Sequence, residues 1–235
     1  MGKLKKIAGL LKEKGIKETL SHILKYLKAN AFNYSLETYA VFKTALDKPI
    51  PVIKPRLELE IYKLQNNGHD IDEIISIWPD YFGPSKTDAG LKKVITYYFN
   101  CGDECFCVKH NNKIVGMAWV GYQHNYMLKS MAQKIGLTKD EVILHRGFVN
   151  EEVRGNRIYG FLLTSVSNYV RDKGYKKWLA YVGAKNIASL GVHSRICDEY
   201  RLIHHLQITV CGIILNIFPE YDQKSEWFKC NNYNV

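Results

Sequence analysis

Apolar positions recur at three to five residues from Leu4 to Leu27 (Leu4, Ile7, Leu11, Ile16, Leu20, Leu24, Leu27), with lysines between them. That spacing predicts a leading amphipathic helix, which Gly15 could divide. Residues 1–46 are therefore read as a basic amphipathic helical segment. Residues 47–56, Asp-Lys-Pro-Ile-Pro-Val-Ile-Lys-Pro-Arg, hold three of the six prolines. Proline fixes φ and restricts its predecessor, so an extended linker is expected there. From Leu57 the pattern switches between periods of two and 3.6. Strands are expected at 57–64, 104–110, 113–122, 142–149, 178–182, 202–210 and 212–218. Helices are expected at 70–78, 87–100, 155–173 and 187–196, and a further short helix and loop at 124–140. Asn111-Asn112 marks a hairpin turn, Trp78-Pro79-Asp80 a second turn, and Gly174 the end of the 155–173 helix. The sum is an α/β (α+β) domain over residues 57–235, with helices flanking one mixed central sheet.

The chain has 235 residues and a net charge of +10. Residues 1–30 carry eight lysines against two glutamates, so most of the excess lies in the leading segment. Such a segment would lie on an anionic membrane surface or pack against its own domain or a partner protein. The rest of the chain offers no aromatic-basic platform, so no specific nucleic-acid binding is expected. The longest mostly apolar run, Ile208 to Phe218, is too short to span a bilayer as a helix. The first 30 residues lack the unbroken apolar core of a secretory signal. The six cysteines are then expected as reduced thiols in a cytoplasmic protein. Cys101, Cys105, Cys107 and His110 lie close enough together to suggest zinc. Cys105 and Cys107 alternate along a strand, however, and buried thiols account for them equally well. No metal site is expected.

The densest chemistry lies in Val149-Asn150-Glu151-Glu152-Val153-Arg154-Gly155-Asn156-Arg157-Ile158-Tyr159-Gly160. A strand runs into a turn that opens a long helix. The first amides of a helix have no internal acceptor and sit at the positive end of its dipole. They form an anion site, to which Arg154 and Arg157 add charge and Gly155 close access. The loop lacks the spacing of a P-loop or a dinucleotide fingerprint. It resembles the acyl-coenzyme A loop, Arg/Gln-x-x-Gly-x-Gly/Ala, of the GCN5-related N-acetyltransferase (GNAT) family. Arg154 matches the first position. Arg157 and Tyr159 stand where small residues are usual, with Gly155 and Gly160 beside them. The family's Asn-x-x-Ser/Ala after the next strand is matched by Asn186 and Ser189. The resemblance spans about residues 57–218.

The resemblance implies a GNAT-like fold and a transfer of acetyl from acetyl-CoA to a primary amine by direct attack. An amino sugar or other small amine is the favoured acceptor. A non-catalytic acyl-CoA-binding module of the same fold is the alternative. The implied donor site comprises Phe148, Val149, Asn150, Arg154, Gly155, Asn156, Arg157, Ile158, Tyr159, Gly160, Asn186 and Ser189. The family's proton donor to the leaving thiolate is commonly a Tyr seven residues past the Asn. Here that position is His193. Glu141 and His145 are the candidate bases. The acceptor pocket would come from Tyr81 to Asp88 and from Tyr122 to Leu137. Oligomeric state is not legible, and a dimer is compatible with the sequence.

Overall fold

The computed structural model describes residues 32–77, 88–123, 125–128, 133–210, 213–217 and 227–230. The leading helix, the turn at 78–80, Tyr81, Phe82 and His124 lie outside these residues. Two compact units are present: residues 1–38 with 204–223, and residues 39–203 with 224–235. In the smaller unit, strand β10 (Ile213–Ile217) pairs antiparallel with the end of β9 (Glu199–Val210), and Thr38 Oγ1 lies 2.9 Å from His204 Nδ1.

The larger unit is built on a mixed sheet. Its order is the start of β9, the end of β1 (Phe32–Ala45), β8 (Lys177–Gly183), β7 (Glu141–Val149), β4 (Lys113–Gly121), β3 (Glu104–His110) and β2 (Glu60–Lys63). β7 and β8 are parallel, whereas β1–β8, β2–β3, β3–β4 and β4–β7 are antiparallel. The short β11 (Phe228–Lys229) pairs with the start of β9. Helices α1 (Gly68–Ile77) and α2 (Asp88–Asn100) pack on one face. Their Ile71, Ile74, Leu91, Ile95 and Tyr98 close a core over Cys105, Cys107, Met117, Trp119 and Phe148. Helix α3 (Ile158–Asp172) covers the other face with Leu162, Leu163, Val166 and Val170, over Val115, Ala118, Val142, Leu144 and Ala180. Helix α4 (Ile187–Ile196) follows β8. Cys105 and Cys107 share one buried face, their sulfurs 4.0 Å apart. His110, on the same strand, is turned to the Glu58 carbonyl.

Three stretches depart from expectation. Residues 32–45, expected to continue the helical segment to residue 46, form β1 instead. Ala40, Val41 and Phe42 are fully buried in succession. That is the mark of an internal strand covered on both faces, where alternation gives way to a continuous apolar run. Residues 125–128 and 133–136, within the stretch expected as a short helix and loop, form a separate antiparallel pair, β5 and β6. Arms of four residues are too short for apolar period to separate strand from helix.

The third stretch is 47–56. It is extended, as its prolines require, but it is a strap laid along α3. Ile50 N–H donates to Asn168 Oδ1, and the Ile50 carbonyl accepts from Asn168 Nδ2. Ile53 N–H donates to Thr164 Oγ1, and Arg56 N–H donates to the Asn156 carbonyl. Between these contacts, Ile53 Cδ1 would lie 2.9 Å from any Cβ at Gly160. Asn156, Gly160, Thr164 and Asn168 are spaced by four, one stripe of α3 together with the loop before it.

Candidate active site

β7 and β8 pair only from Glu141–Leu144 against Lys177–Ala180, and beyond that they part. Arg146 and Gly147 together face Ala118 of β4, because Met117 pairs with Phe148 and Trp119 with His145. This is a β-bulge, and Arg146 sits in it at φ +54°. A bulge bends its strand and shifts the alternation of side chains. Leu144 therefore faces the α3 core, while Phe148, four residues on, faces the α1–α2 core. β8 has no reason to follow the bend. It is held by β1 through seven consecutive pairs, Tyr39–Ala45 with Gly183–Lys177. The sheet opens between the two strands, leaving a cavity of about 240 Å³. Tyr39, His145, Tyr159, Tyr181 and His193 are among its lining residues.

The loop after β7 is built from local bonds. Asn150 N–H donates to the Val115 carbonyl, and the Asn150 side chain accepts from Glu152 N–H, starting a single 3₁₀ turn at Glu151–Val153. Arg154 is tied back by Nε to the Val149 carbonyl at 3.2 Å and by Nη1 to Glu151 Oε1 at 2.7 Å. Asn156 Nδ2 donates to the Val153 carbonyl. Gly155 takes φ +84°, which a side chain would oppose. Arg157 caps α3 at φ +62° with no side-chain cap bond. The helix thus begins with first-turn amides that no cap side chain occupies. They face a cleft of about 540 Å³ whose other wall is α4. Arg154, Arg157 and Arg195 all line it. Amides at the positive end of a helix dipole, bracketed by guanidinium groups from both walls, suit a polyanionic ligand.

Cleft and cavity meet at Gly147, Tyr159, Asn186 and Ser189, which line both. Phe148, Val149, Ile158 and Gly160 line the cleft as expected; Asn150 and Asn156 shape its loop through the bonds given above. Gly160, however, lacks a side chain for a second reason, the close approach of Ile53. Asn186 caps α4, its Oδ1 accepting from Ser189 N–H at 3.1 Å.

The three expected acid–base residues fare differently. Glu141 opens β7 at the paired end of the strands, where its carboxylate accepts from Thr138 N–H, and it lines neither cleft nor cavity. Its place at the zipped end, not at the bulge, separates it from the opening. His145 does line the cavity. Its Nε2 lies 3.2 Å from the Asp103 carboxylate, both side chains almost wholly buried. Tyr98 meets its ring edge-on at 5.1 Å. Burial holds the His145 pKa below the ordinary value, and Asp103 offsets part of that. The imidazole is then neutral near pH 7, with Nε2–H donated to Asp103 and the lone pair on Nδ1.

His193 is 1% exposed, packed against Phe42, Tyr159 and Trp178. Its Nδ1 donates to the Ser189 carbonyl at 2.8 Å, and burial pushes its pKa down to about 4. Nε2 therefore carries a lone pair and meets no hydrogen-bond partner among the described residues. The expected donor of a proton to a leaving thiolate is a neutral imidazole whose one N–H is committed. What it presents is an acceptor.

Four contributors escaped the sequence reading. Asp103 follows a Gly turn and bears on His145 only through the fold. Tyr39 and Tyr181 come from the β1–β8 pair, and alternation along β8 was the one local signal for Tyr181. Arg195 lies nine residues past Asn186, on the turn of α4 that faces the cleft.

The site is thus a mixed sheet opened by a bulge, with an arginine-lined cleft at a helix N-terminus leading into the opening. The model of the Acetyltransferase (GNAT) family matches residues 71–198, more than half of the chain. The chain belongs to this family. A GCN5-related N-acetyltransferase from Sphaerobacter thermophilus is similar in structure, with 15% identity, a TM-score of 0.55, and coverage of 85% of this chain and 57% of that one. A Drosophila protein gives 12% identity, a TM-score of 0.50, and coverage of 82% and 58%. At these identities the likeness concerns the fold. The chain spans less than two thirds of the length of either structure. A comparison with curated proteins finds no match. β1 precedes the region that the family model matches. Among the described residues, no helix is long and apolar enough to cross a membrane.

Proposed function

We propose that the protein transfers an acetyl group from acetyl-CoA to the primary amine of an amino sugar or another small amine, in a ternary complex. The observation that carries this reading is the continuity of cleft and cavity. Phosphates held at the α3 N-terminus and by Arg154, Arg157 and Arg195 would leave the thioester end of the donor at the opening between β7 and β8. There the strand edges have given up their mutual hydrogen bonds and can bind the pantetheine amides instead.

In the proposed step the amine nitrogen attacks the thioester carbonyl. The new C–N bond forms as the C–S bond breaks, and the amine's proton passes to neutral His145, which Asp103 holds in the accepting tautomer. The imidazolium returns that proton to the departing thiolate, so amide and coenzyme A thiol are the products. His193 Nε2 accepts a hydrogen bond from the incoming amine or from the donor. The acceptor's hydroxyls would meet Tyr39 and Tyr181. Residues 1–30 would place this chemistry near an anionic membrane surface or a partner protein, without a part in the transfer. Deleting them should abolish binding to anionic vesicles and leave soluble turnover intact.

The test is calorimetric titration with acetyl-CoA, followed by an amine screen. Micromolar binding is expected, and weaker binding in Arg154→Ala and Gly155→Asp. No binding of acetyl-CoA or free coenzyme A would overturn the reading. A non-catalytic coenzyme-binding module is favoured by one feature, the bulky Arg157 and Tyr159 at positions usually small. Turnover with any amine excludes it.

A further inference from the structure

Tyr159 is the second residue of α3, and its ring turns across the opening of the sheet. It lies against Gly147 so closely that a Cβ there would meet Cε2 at 2.5 Å, the hydroxyl at 2.7 Å and Cζ at 2.9 Å. On its other side its centroid is 5.6 Å from the His193 ring, tilted by 51°. The ring thus bridges from the bulged strand to α4. It is half-buried, and it lines both the phosphate cleft and the inner cavity. Gly147 is not at a left-handed φ, unlike Gly102, Gly155 and Gly174. What its missing side chain allows is the seat of the Tyr159 ring.

We infer that Tyr159 is a specificity-determining residue whose ring narrows the passage from the phosphate cleft into the inner cavity and confines the donor to a short acyl group. This rests on the donor reading above. A donor anchored by its phosphates has its thioester at this wall, and its acyl chain must share about 240 Å³ with the acceptor amine. An acetyl group fits beside the ring. A chain several methylenes longer meets the ring face, and the ring has little room to yield between Gly147 and His193. The phenol ring, not its hydroxyl, supplies the wall. Removing the ring widens the passage between the two spaces. Adding a Cβ at Gly147 meets the same ring from the opposite side, at distances of 2.5 to 2.9 Å that force its far end to shift.

The experiment is calorimetric titration of the full chain with free coenzyme A, acetyl-CoA and hexanoyl-CoA. It compares wild type with Tyr159→Ala, Tyr159→Phe and Gly147→Ala, each checked for an unchanged thermal transition. Wild type and Tyr159→Phe should bind acetyl-CoA about tenfold more tightly than hexanoyl-CoA. In Tyr159→Ala and Gly147→Ala that preference, taken as the ratio of the two thioester affinities within each variant, should shrink to about twofold or reverse. Equal binding of both thioesters by wild type, or an undiminished preference in folded Tyr159→Ala and Gly147→Ala, would overturn the inference while coenzyme binding stands. Failure of wild type to bind free coenzyme A would overturn the donor reading, and this one with it.

Discussion

β7 and β8 are one pair of strands with two different ends. From Glu141 to Leu144 they are zipped to Lys177–Ala180, and Val142, Ile143, Trp178 and Leu179 are buried to 2% exposure or less. From His145 to Val149 and from Tyr181 to Gly183 they share no ladder, and His145 and Tyr181 face a cavity. The zipped end spends its backbone groups on the sheet and its side chains on the core. At the open end the two strands share no ladder bonds, and His145 and Tyr181 line a cavity instead of a joint core. One bulge and one competing neighbour, β1, make the difference. A functional opening in a sheet needs a reason for each strand to leave the other, and here the two reasons come from opposite edges.

The largest effect should come from breaking the zipped end. Trp178→Ala removes a fully buried indole that packs against His193, and should cost about 3–5 kcal/mol in denaturant unfolding. A loss under about 1 kcal/mol would mean that this end is not the stable one.

The open end should instead betray itself through pH. His193 is held near 4, below its usual 6.5, so below pH 6.5 the unfolded chain binds the proton first. Stability from this group is complete above 6.5 and is lost as pH falls toward 4, by a sum on the order of 3 kcal/mol. His145, also lowered, adds in the same direction. His193→Phe should flatten the fall in the thermal midpoint between pH 6.5 and 4 without abolishing it. An unchanged slope would mean that the imidazole is not buried in its neutral form.

Gly155→Asp sharpens the comparison from the ligand side. A side chain at φ +84° costs about 1 kcal/mol, and a carboxylate beside the first amides of α3 competes for the anion site. Acetyl-CoA affinity should fall by about 10- to 100-fold in titration, far more than the stability change alone predicts.

The smallest effect belongs to the strap. Ile53→Ala loosens the contact on Gly160 and should cost about 1 kcal/mol, with acetyl-CoA binding weakened about two- to threefold because the first turn of α3 is less firmly held. Equal affinity in the two forms would show that the strap supports the helix but not the cleft.

Local signals were strong wherever one element decides its own form. The helices at 158–172 and 187–196 and the hairpin at 104–121 lie within a few residues of their expected bounds. Asn111 and Asn112 both take positive φ, as a two-residue hairpin turn demands. The turn from β7 into α3 was legible because its parts are contiguous: a strand end, a glycine, two arginines and a helix start. Spacing suggested His193 as a proton donor, whereas in the fold its Nδ1–H is already donated to the Ser189 carbonyl. Spacing places a ring on a helix face and says nothing of the Ser189 carbonyl that takes its proton or of the burial that keeps it neutral. Asp103 was missed because its partner is 42 residues away in sequence.

What the sequence alone determined is thus the family, the α/β alternation and the strand–turn–helix passage that opens α3, because each is written in neighbouring residues whose conformational preferences act over one turn or one strand. What only the tertiary structure decided is that β1 enters the sheet beside β8, that β7 bulges away from it, and that Tyr159 fills the gap against Gly147. Those outcomes depend on which surfaces compete for the same edge. That competition is settled by packing between segments from 12 residues apart, for Gly147 and Tyr159, to more than a hundred, for β1 and β8, which no local pattern encodes.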